Sequence, residues 1–118
     1  MTALTLSSLK RSVIKVSVRV NSENFESEVL NAEGIILADF YSDSCVPCKR
    51  MSPVLAEIEE SEDIKLVKIN INFDGELAEK YEVQAAPTLV FFKNGEEASR
   101  LRGAVKKSEI TDVINSLK

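Results

Sequence analysis

The hydrophobic and polar positions of this chain follow the two-residue period of strands in some segments and the longer period of helices in others. Over residues 14–20, apolar side chains alternate with polar ones, which predicts a strand with one buried face. The run GIILADFY at 34–41 is apolar at nearly every position, which is typical of a central strand covered on both faces. Further strands are predicted over 64–70, 88–92 and 98–101, the last two joined by the hairpin signal Asn94-Gly95.

Helical patterns separate these strands. Between Met51 and Ile58 the apolar residues recur at i, i+3, i+4 and i+7, which marks one face of a helix that begins at the cysteines and runs to about residue 60. Pro53 lies inside this helix, and we expect it to cause a kink because it removes a backbone donor. Other helices are predicted over 22–30, over 74–81 and from Ser108 to the C-terminus.

The resulting order is βαβαβαββα over a chain of 118 residues. Helical crossovers favour parallel strands at the centre of a sheet, and the hairpin adds an antiparallel edge. We therefore expect a single α/β domain over 1–118, with a mixed sheet of about five strands, about four helices and an N-terminal arm at 1–12.

Composition narrows the classes of function. The net charge of −4 provides no basic surface for nucleic acid, and no apolar run approaches the roughly 20 residues that span a bilayer. The first 20 residues are basic and mildly resemble a transit peptide, but their charges follow the apolar start, which is the wrong order for a secretory signal. From Ile14 onward the pattern is that of a strand, so we expect no cleavage. Two cysteines do not make a disulfide-rich secreted protein. We expect a cytoplasmic monomer that binds neither nucleic acid nor membrane.

Both cysteines lie in the segment SDSCVPCKRMSP, as Cys45 and Cys48. A structural zinc site needs four ligands, and the chain has no histidine and no third cysteine, so zinc would need a second chain or carboxylates. A structural disulfide across so short a loop would remove little entropy from the unfolded chain. A reactive pair suits the position better, because the cysteines lie where a buried strand meets the start of a helix.

The start of a helix favours negative charge, because its first backbone N–H groups are unpaired and the helix dipole is positive there. Cys45 at this position is placed to become a thiolate that attacks a partner's disulfide. Cys48, one turn into the helix, is placed to attack second and to release the partner by closing an internal disulfide. The two sulfurs carry the electrons themselves, so we expect no cofactor and no metal.

Five separated features together resemble the thioredoxin family over about residues 14–117: ADF, CVPCKRMSP, VKIN, APTLVFFKNGE and the late Gly103. The resemblance implies the thioredoxin fold and a protein-disulfide reductase that acts on disulfide-containing proteins. It also implies a recharging enzyme similar to thioredoxin reductase. By position, Cys45 resembles the attacking cysteine of the family and Cys48 resembles the resolving one.

The resemblance also implies a groove for an extended segment of the substrate. Pro87 matches the family's cis-proline, and the backbone of Ala86 before it would face the substrate. Gly103 resembles the glycine that flanks the groove, although an ordinary turn is an equal alternative. Val46 and Pro47, between the cysteines, would line the rim of the same site.

Two charged residues complete the implied site. Asp39 matches a buried aspartate behind the resolving cysteine, where a raised pKa would suit a base that deprotonates Cys48. Lys68 matches the lysine that approaches this carboxylate. The alternatives are that Asp39 faces a polar pocket without a catalytic role and that Lys68 points to solvent.

The chain departs from the family pattern around the cysteines. Ser44 and Tyr41 replace tryptophans, Val46 replaces a glycine, and Ala85 and Ala86 are smaller than their usual counterparts. We expect these changes to affect partner recognition and the redox potential more than the chemistry. Two alternatives to a general reductase therefore stay open: a dedicated electron donor, oxidase or isomerase for one partner, and a non-catalytic binding module.

Overall fold

A five-stranded mixed sheet with the strand order β1-β3-β2-β4-β5 forms the centre of the computed structural model, which describes residues 17–118. Strands β2 and β3 are parallel, whereas β4 runs antiparallel to β2 and β5 antiparallel to β4. The strands are β1 Val18–Arg19, β2 Ile35–Tyr41, β3 Ile64–Asn70, β4 Thr88–Lys93 and β5 Glu96–Arg102. The helices are a π-helix at Glu26–Leu30, α1 Val46–Ser61, α2 Gly75–Lys80 and α3 Lys107–Leu117.

The two faces of the sheet bury separate apolar clusters, because side chains along a strand alternate between faces. Along β2, Ile36, Ala38 and Phe40 join the cluster on the face of the π-helix and α2. Ile35 and Leu37 join the cluster formed by α1 and α3 on the other face. Every residue of β2 except the last is buried, as expected for a central strand covered on both sides.

The register of the strands brings three separate loops to one edge of the sheet. Strand β2 ends at Tyr41 and leads into the loop that carries the cysteines. Phe40 pairs with Thr88 at the beginning of β4, and Thr88 pairs with Arg102 at the end of β5. The segments just before β4 and just after β5 therefore lie beside the end of β2.

The mixed sheet and the order of the elements confirm the predicted fold class, and three local features differ. Of the strand predicted at 14–20, the structure describes residues 17–20, in which β1 contains two residues. The predicted arm at 1–12 lies outside the described residues. The predicted helix at 22–30 is mostly a π-helix, in which the N–H of Asn31 donates to the oxygen of Glu26 at 2.8 Å. Phe25 and Val29 both lie in the core.

The last helix begins before Ser108, at Lys107. The carboxylate of Glu109 accepts a hydrogen bond from the backbone N–H of Lys106 at 2.8 Å, so a glutamate in the first turn stabilises this end instead of Ser108. Pro53 lies inside α1, which continues to Ser61, and the expected kink stays a prediction. Among the described residues, none of the helices has the length and apolar character needed to cross a membrane.

Candidate active site

The two cysteines lie at the beginning of α1 and are joined by a disulfide. Cys45 is the N-cap residue and is partly exposed, whereas Cys48 is buried, with 7% of its surface accessible. The backbone N–H of Cys48 donates to Sγ of Cys45 at 3.1 Å. The cysteine that is partly exposed is therefore also the one whose sulfur contacts a backbone N–H at the helix N-terminus.

The loop before β4 approaches Cys45 from the side. The peptide bond between Ala86 and Pro87 is cis, as the resemblance implied, and the carbonyl oxygen of Ala86 lies 3.5 Å from Sγ of Cys45. The N–H of Gly103 donates to the carbonyl oxygen of Pro87 at 2.8 Å. Gly103 has a φ of 81°, which favours glycine, so this residue lies in a turn and also beside the proline. Ala86 is partly buried and Pro87 is buried.

The residues between the cysteines form the outer rim. Val46 exposes 58% of its surface, and Pro47 is exposed as well. Among the described residues, Val46 is one of two large hydrophobic side chains that are mainly exposed, and Phe73, at 82%, is the other. Both follow the carboxyl end of a parallel strand, so they lie at the same edge of the sheet.

Asp39 is a buried carboxyl group on β2, with 5% of its surface accessible. By alternation it shares the face of Ile35 and Leu37, which α1 covers, and it pairs in register with Lys68 on β3. Its Oδ1 atom has no hydrogen-bond partner within residues 17–118. Burial raises the pKa of Asp39 from 3.8 to about 6, and the positive charge of Lys68 partly opposes this rise.

The structure thus brings the sequence-predicted site residues to one region. Cys45, Cys48, Ala86, Pro87 and Gly103 meet at the edge of the sheet. Val46 and Pro47 form its rim. Asp39 and Lys68 lie on neighbouring strands, on the face that the cysteine-bearing helix covers. The described part of the chain contains no cluster of three or more acidic or cysteine side chains that could hold a metal ion.

A series of hydrogen-bonded polar side chains, which the sequence did not predict, supports the loop that carries the cysteines. The amide of Asn72 donates to Ser42 at 3.2 Å, and that of Asn70 donates to Asp43 at 3.1 Å. The hydroxyl groups of Ser42 and Ser44 lie 3.4 Å apart. These contacts join segments nearly 30 residues apart, so no local pattern could have revealed them. They hold the loop before Cys45 against the end of β3.

A second feature that was missed is a pocket beside the cis-proline loop, with a volume of about 240 Å³. It lies between the loop that precedes β4 and the last residue of β5. No local pattern could have revealed it, because the pairing of Thr88 with Arg102 depends on a register shift between Phe91 and Phe92. Its lining residues are Glu82, Gln84, Ala85, Thr88 and Arg102.

Comparison with known proteins agrees with this geometry. The family model described as "Thioredoxin" matches residues 16–116. The chain is 39% identical to the thioredoxin of Chlamydia pneumoniae over 97 residues, which cover 81% of this chain and 93% of that protein. It is 36% identical to thioredoxin C-2 of Corynebacterium nephridii over 100 residues, which cover 83% and 93% of the two chains.

A solved structure matches the fold as well. The N21Q mutant thioredoxin from Halobacterium salinarum NRC-1 superimposes with a TM-score of 0.80 at 29% identity, covering 88% of this chain and 96% of that one. The family match spans the strand, the paired cysteines and the cis-proline that together form the site. The chain therefore belongs to the thioredoxin family, and it is a thiol–disulfide oxidoreductase with the Cys45–Cys48 pair as its redox centre.

Proposed function

We propose that this protein reduces disulfide bonds of partner proteins, with Cys45 as the attacking thiolate and Cys48 as the resolving thiol. The observation that carries these roles is the difference in exposure: Cys45 is accessible at the helix N-cap, whereas Cys48 is buried one turn further in. A bulky substrate can reach Cys45, and the N–H of Cys48, 3.1 Å away, stabilises negative charge on its sulfur.

The reaction requires two exchanges. In the reduced protein the Cys45 thiolate attacks one sulfur of the substrate disulfide; that bond breaks, and the other substrate sulfur leaves as a thiolate that takes up a proton. Cys48 loses its proton and attacks Sγ of Cys45, which releases the first substrate sulfur and forms the Cys45–Cys48 disulfide seen here. Two electrons have then passed to the substrate, and a reductase must return two electrons, with one proton that restores the Cys48 thiol beside the Cys45 thiolate.

Asp39 is the proposed base for the second exchange. It is buried on the face of β2 that α1 covers, and its pKa of about 6 allows it to exchange a proton near neutral pH. Lys68 pairs with it in register and lowers that pKa, so its proposed role is to keep Asp39 ionised at neutral pH. Without a base, the buried Cys48 would lose its proton slowly.

The proposed binding groove for an extended substrate segment lies between the cis-proline loop and the rim. Ala86 and Pro87 form one side, and the carbonyl oxygen of Ala86, 3.5 Å from Sγ of Cys45, supports this role. Gly103 supports the loop through its hydrogen bond to Pro87. Val46 and Pro47 are exposed at the opposite side, where they would contact a substrate that has docked on Cys45.

A pair of single-cysteine variants tests the assignment of roles. With insulin as the substrate and dithiothreitol as the reductant, we expect Cys45→Ser and Cys48→Ser both to lose turnover, because each step needs one thiol. Ser61→Ala, at the far exposed end of the same helix, should keep the parental rate. A Cys45→Ser variant that reduces insulin at the parental rate would show that the proposed mechanism is wrong.

The roles of attacking and resolving cysteine predict which of the two single-cysteine variants forms adducts with a partner protein. Mixed with a disulfide-containing protein, Cys48→Ser should accumulate a mixed disulfide through Cys45, which mass spectrometry detects as one added partner mass. Cys45→Ser should form far less, because its remaining thiol is buried. Faster adduct formation by Cys45→Ser would reverse the assignment of attacking and resolving cysteine.

A narrower role, as a dedicated electron donor, oxidase or isomerase for one partner, has one specific observation in its favour. Val46 presents a large exposed apolar surface at the rim, and Ser44 stands where the family carries a flat aromatic side chain. Trapping with Cys48→Ser in a cell extract separates these possibilities: many different adducts support a general reductase, and one dominant adduct supports the narrower role.

The proposal includes a location and an oligomeric state. A protein that delivers electrons to disulfides works in a reducing compartment, so we infer that it acts in the cytoplasm. We also propose that it acts as a monomer, because one chain supplies all the residues of the proposed site. Fractionation of the source cells and light scattering of the purified protein test these two points.

A further inference from the structure

The pocket beside the cis-proline loop lies next to the reactive sulfur. Ala85 lines this pocket, and the carbonyl oxygen of its neighbour Ala86 lies 3.5 Å from Sγ of Cys45. Consecutive Cα atoms are about 3.8 Å apart, so the pocket begins about one residue away from the sulfur. A substrate segment that reaches Cys45 in an extended conformation would place a neighbouring side chain over this pocket.

Two sets of hydrogen bonds fix the walls of the pocket. Arg100 donates to the carbonyl oxygens of Tyr81 at 2.7 Å and Glu82 at 3.4 Å, so it holds the turn that follows α2. The hydroxyl group of Thr88, which is buried, donates to the carbonyl oxygen of Ala85 at 2.7 Å. The pocket is therefore shaped before a substrate arrives, which reduces the entropy lost on binding.

Glu82 and Arg102 are the two charged residues that line the pocket, and neither forms an ion pair within residues 17–118. Arg100 binds Glu97 through two hydrogen bonds of 2.9 and 2.8 Å, and the carboxylate of Glu82 is also near Arg100. Glu97, and more weakly Glu82, raise the pKa of Arg100. The guanidinium group of Arg102 has no ion-pair or hydrogen-bond partner within residues 17–118. Arg102 is therefore the cation that is free to bind a ligand.

We propose that this pocket is a specificity subsite that binds an acidic side chain of the substrate, close in sequence to the cysteine that Cys45 attacks, through Arg102. The inference rests on the proposed function, since it describes which disulfide-containing proteins are preferred. A guanidinium group binds a carboxylate through two parallel hydrogen bonds, which gives geometric selectivity as well as charge attraction. Arg102 lies beside Gly103, so the subsite joins the groove directly.

The test uses three kinds of short peptide, each of which contains one internal disulfide. The peptides differ only at the two positions on either side of each cysteine, and these positions carry Asp, Asn or Lys. For the reduced parent protein we expect the kcat/KM of the Asp peptides to exceed that of the Lys peptides roughly tenfold, with the Asn peptides between them. Arg102→Gln should remove most of this preference, and Arg102→Glu should reverse it. Arg102 is exposed, so neither change should disturb folding.

Lys106→Gln is the matched control, because it removes one exposed positive charge from the same connection but from outside the pocket. We expect it to leave the order of the peptides unchanged. If it weakens the preference as much as Arg102→Gln does, general attraction explains the data and the subsite is wrong.

The outcomes also separate the subsite from the proposed function. If the parent protein reduces all three peptides at equal rates, the subsite is wrong and the proposed function stands. If it fails to reduce even the uncharged Asn peptides, the proposed function is wrong.

Discussion

Replacing Asp39 with asparagine should stabilise the oxidised protein at neutral pH and change its stability little in acid. Asparagine has nearly the shape of the protonated carboxyl group, so the variant resembles the neutral form of Asp39 at every pH. Asp39 has 5% of its surface accessible, and its Oδ1 atom has no partner among the described residues, so ionisation there is costly.

The magnitude follows from the pKa. Burial raises the pKa of Asp39 from 3.8 to about 6, and one pKa unit corresponds to about 1.4 kcal/mol, so the full effect is roughly 3 kcal/mol. The folded state holds the proton of Asp39 more tightly than the unfolded state does. Protonation of Asp39 therefore stabilises the folded protein, and this stabilisation is complete below about pH 4. It is lost as the pH rises through about 6. At pH 7 the asparagine variant should therefore exceed the parent by up to about 3 kcal/mol.

Urea unfolding of the oxidised proteins at a series of pH values measures this difference. Asp112→Asn, on the exposed side of α3, is the matched control and should stay within about 0.5 kcal/mol of the parent. The difference in unfolding free energy between Asp39→Asn and the parent should grow between about pH 4 and 7. A difference that stays constant over this range would refute the reasoning, because it would mean that folding does not raise the pKa of Asp39. The same variant should slow the release of mixed disulfides at neutral pH, because the proposed base is missing.

Three other changes have defined outcomes. Lys68→Met should raise the pKa of the paired aspartate above about 6, because a positive charge that lowers it is removed, and carboxyl ¹³C NMR of the oxidised protein would detect this shift. Gly95→Ala should destabilise the protein more than Gly34→Ala, roughly 2 against 1 kcal/mol in urea unfolding. Both glycines have a φ near 80°, but a Cβ at Gly95 would lie 3.1 Å from the backbone oxygen of Leu30, whereas at Gly34 it would meet nothing within 4 Å. Equal losses would contradict this account. Leu55→Ala, on the buried face of α1, should cost about 2 to 5 kcal/mol with an unchanged pH dependence, and a loss below 1 kcal/mol would contradict its burial.

Much of the fold could be predicted because its signals are local. The apolar run of β2, the periodicity of α1 and the Asn94-Gly95 turn each lie within one segment, and each corresponds to an observed element. The errors occurred at the ends of elements and in the π-helix, where packing decides between backbone conformations of similar energy. Helix α3 begins before Ser108 because the carboxylate of Glu109 accepts a hydrogen bond at this end. The preference of serine for the start of a helix did not predict this contact.

The sequence by itself determined that two cysteines stand at the start of a helix after a buried strand, because spacing and hydrophobic pattern specify both. The tertiary structure alone decided which side chains surround them. The burial of Asp39 depends on α1 crossing the sheet, and the position of Arg102 beside the cis-proline loop depends on the register between β4 and β5. The partners in these contacts lie far apart in the sequence, so their energies depend on folding as a whole and leave no local pattern to read.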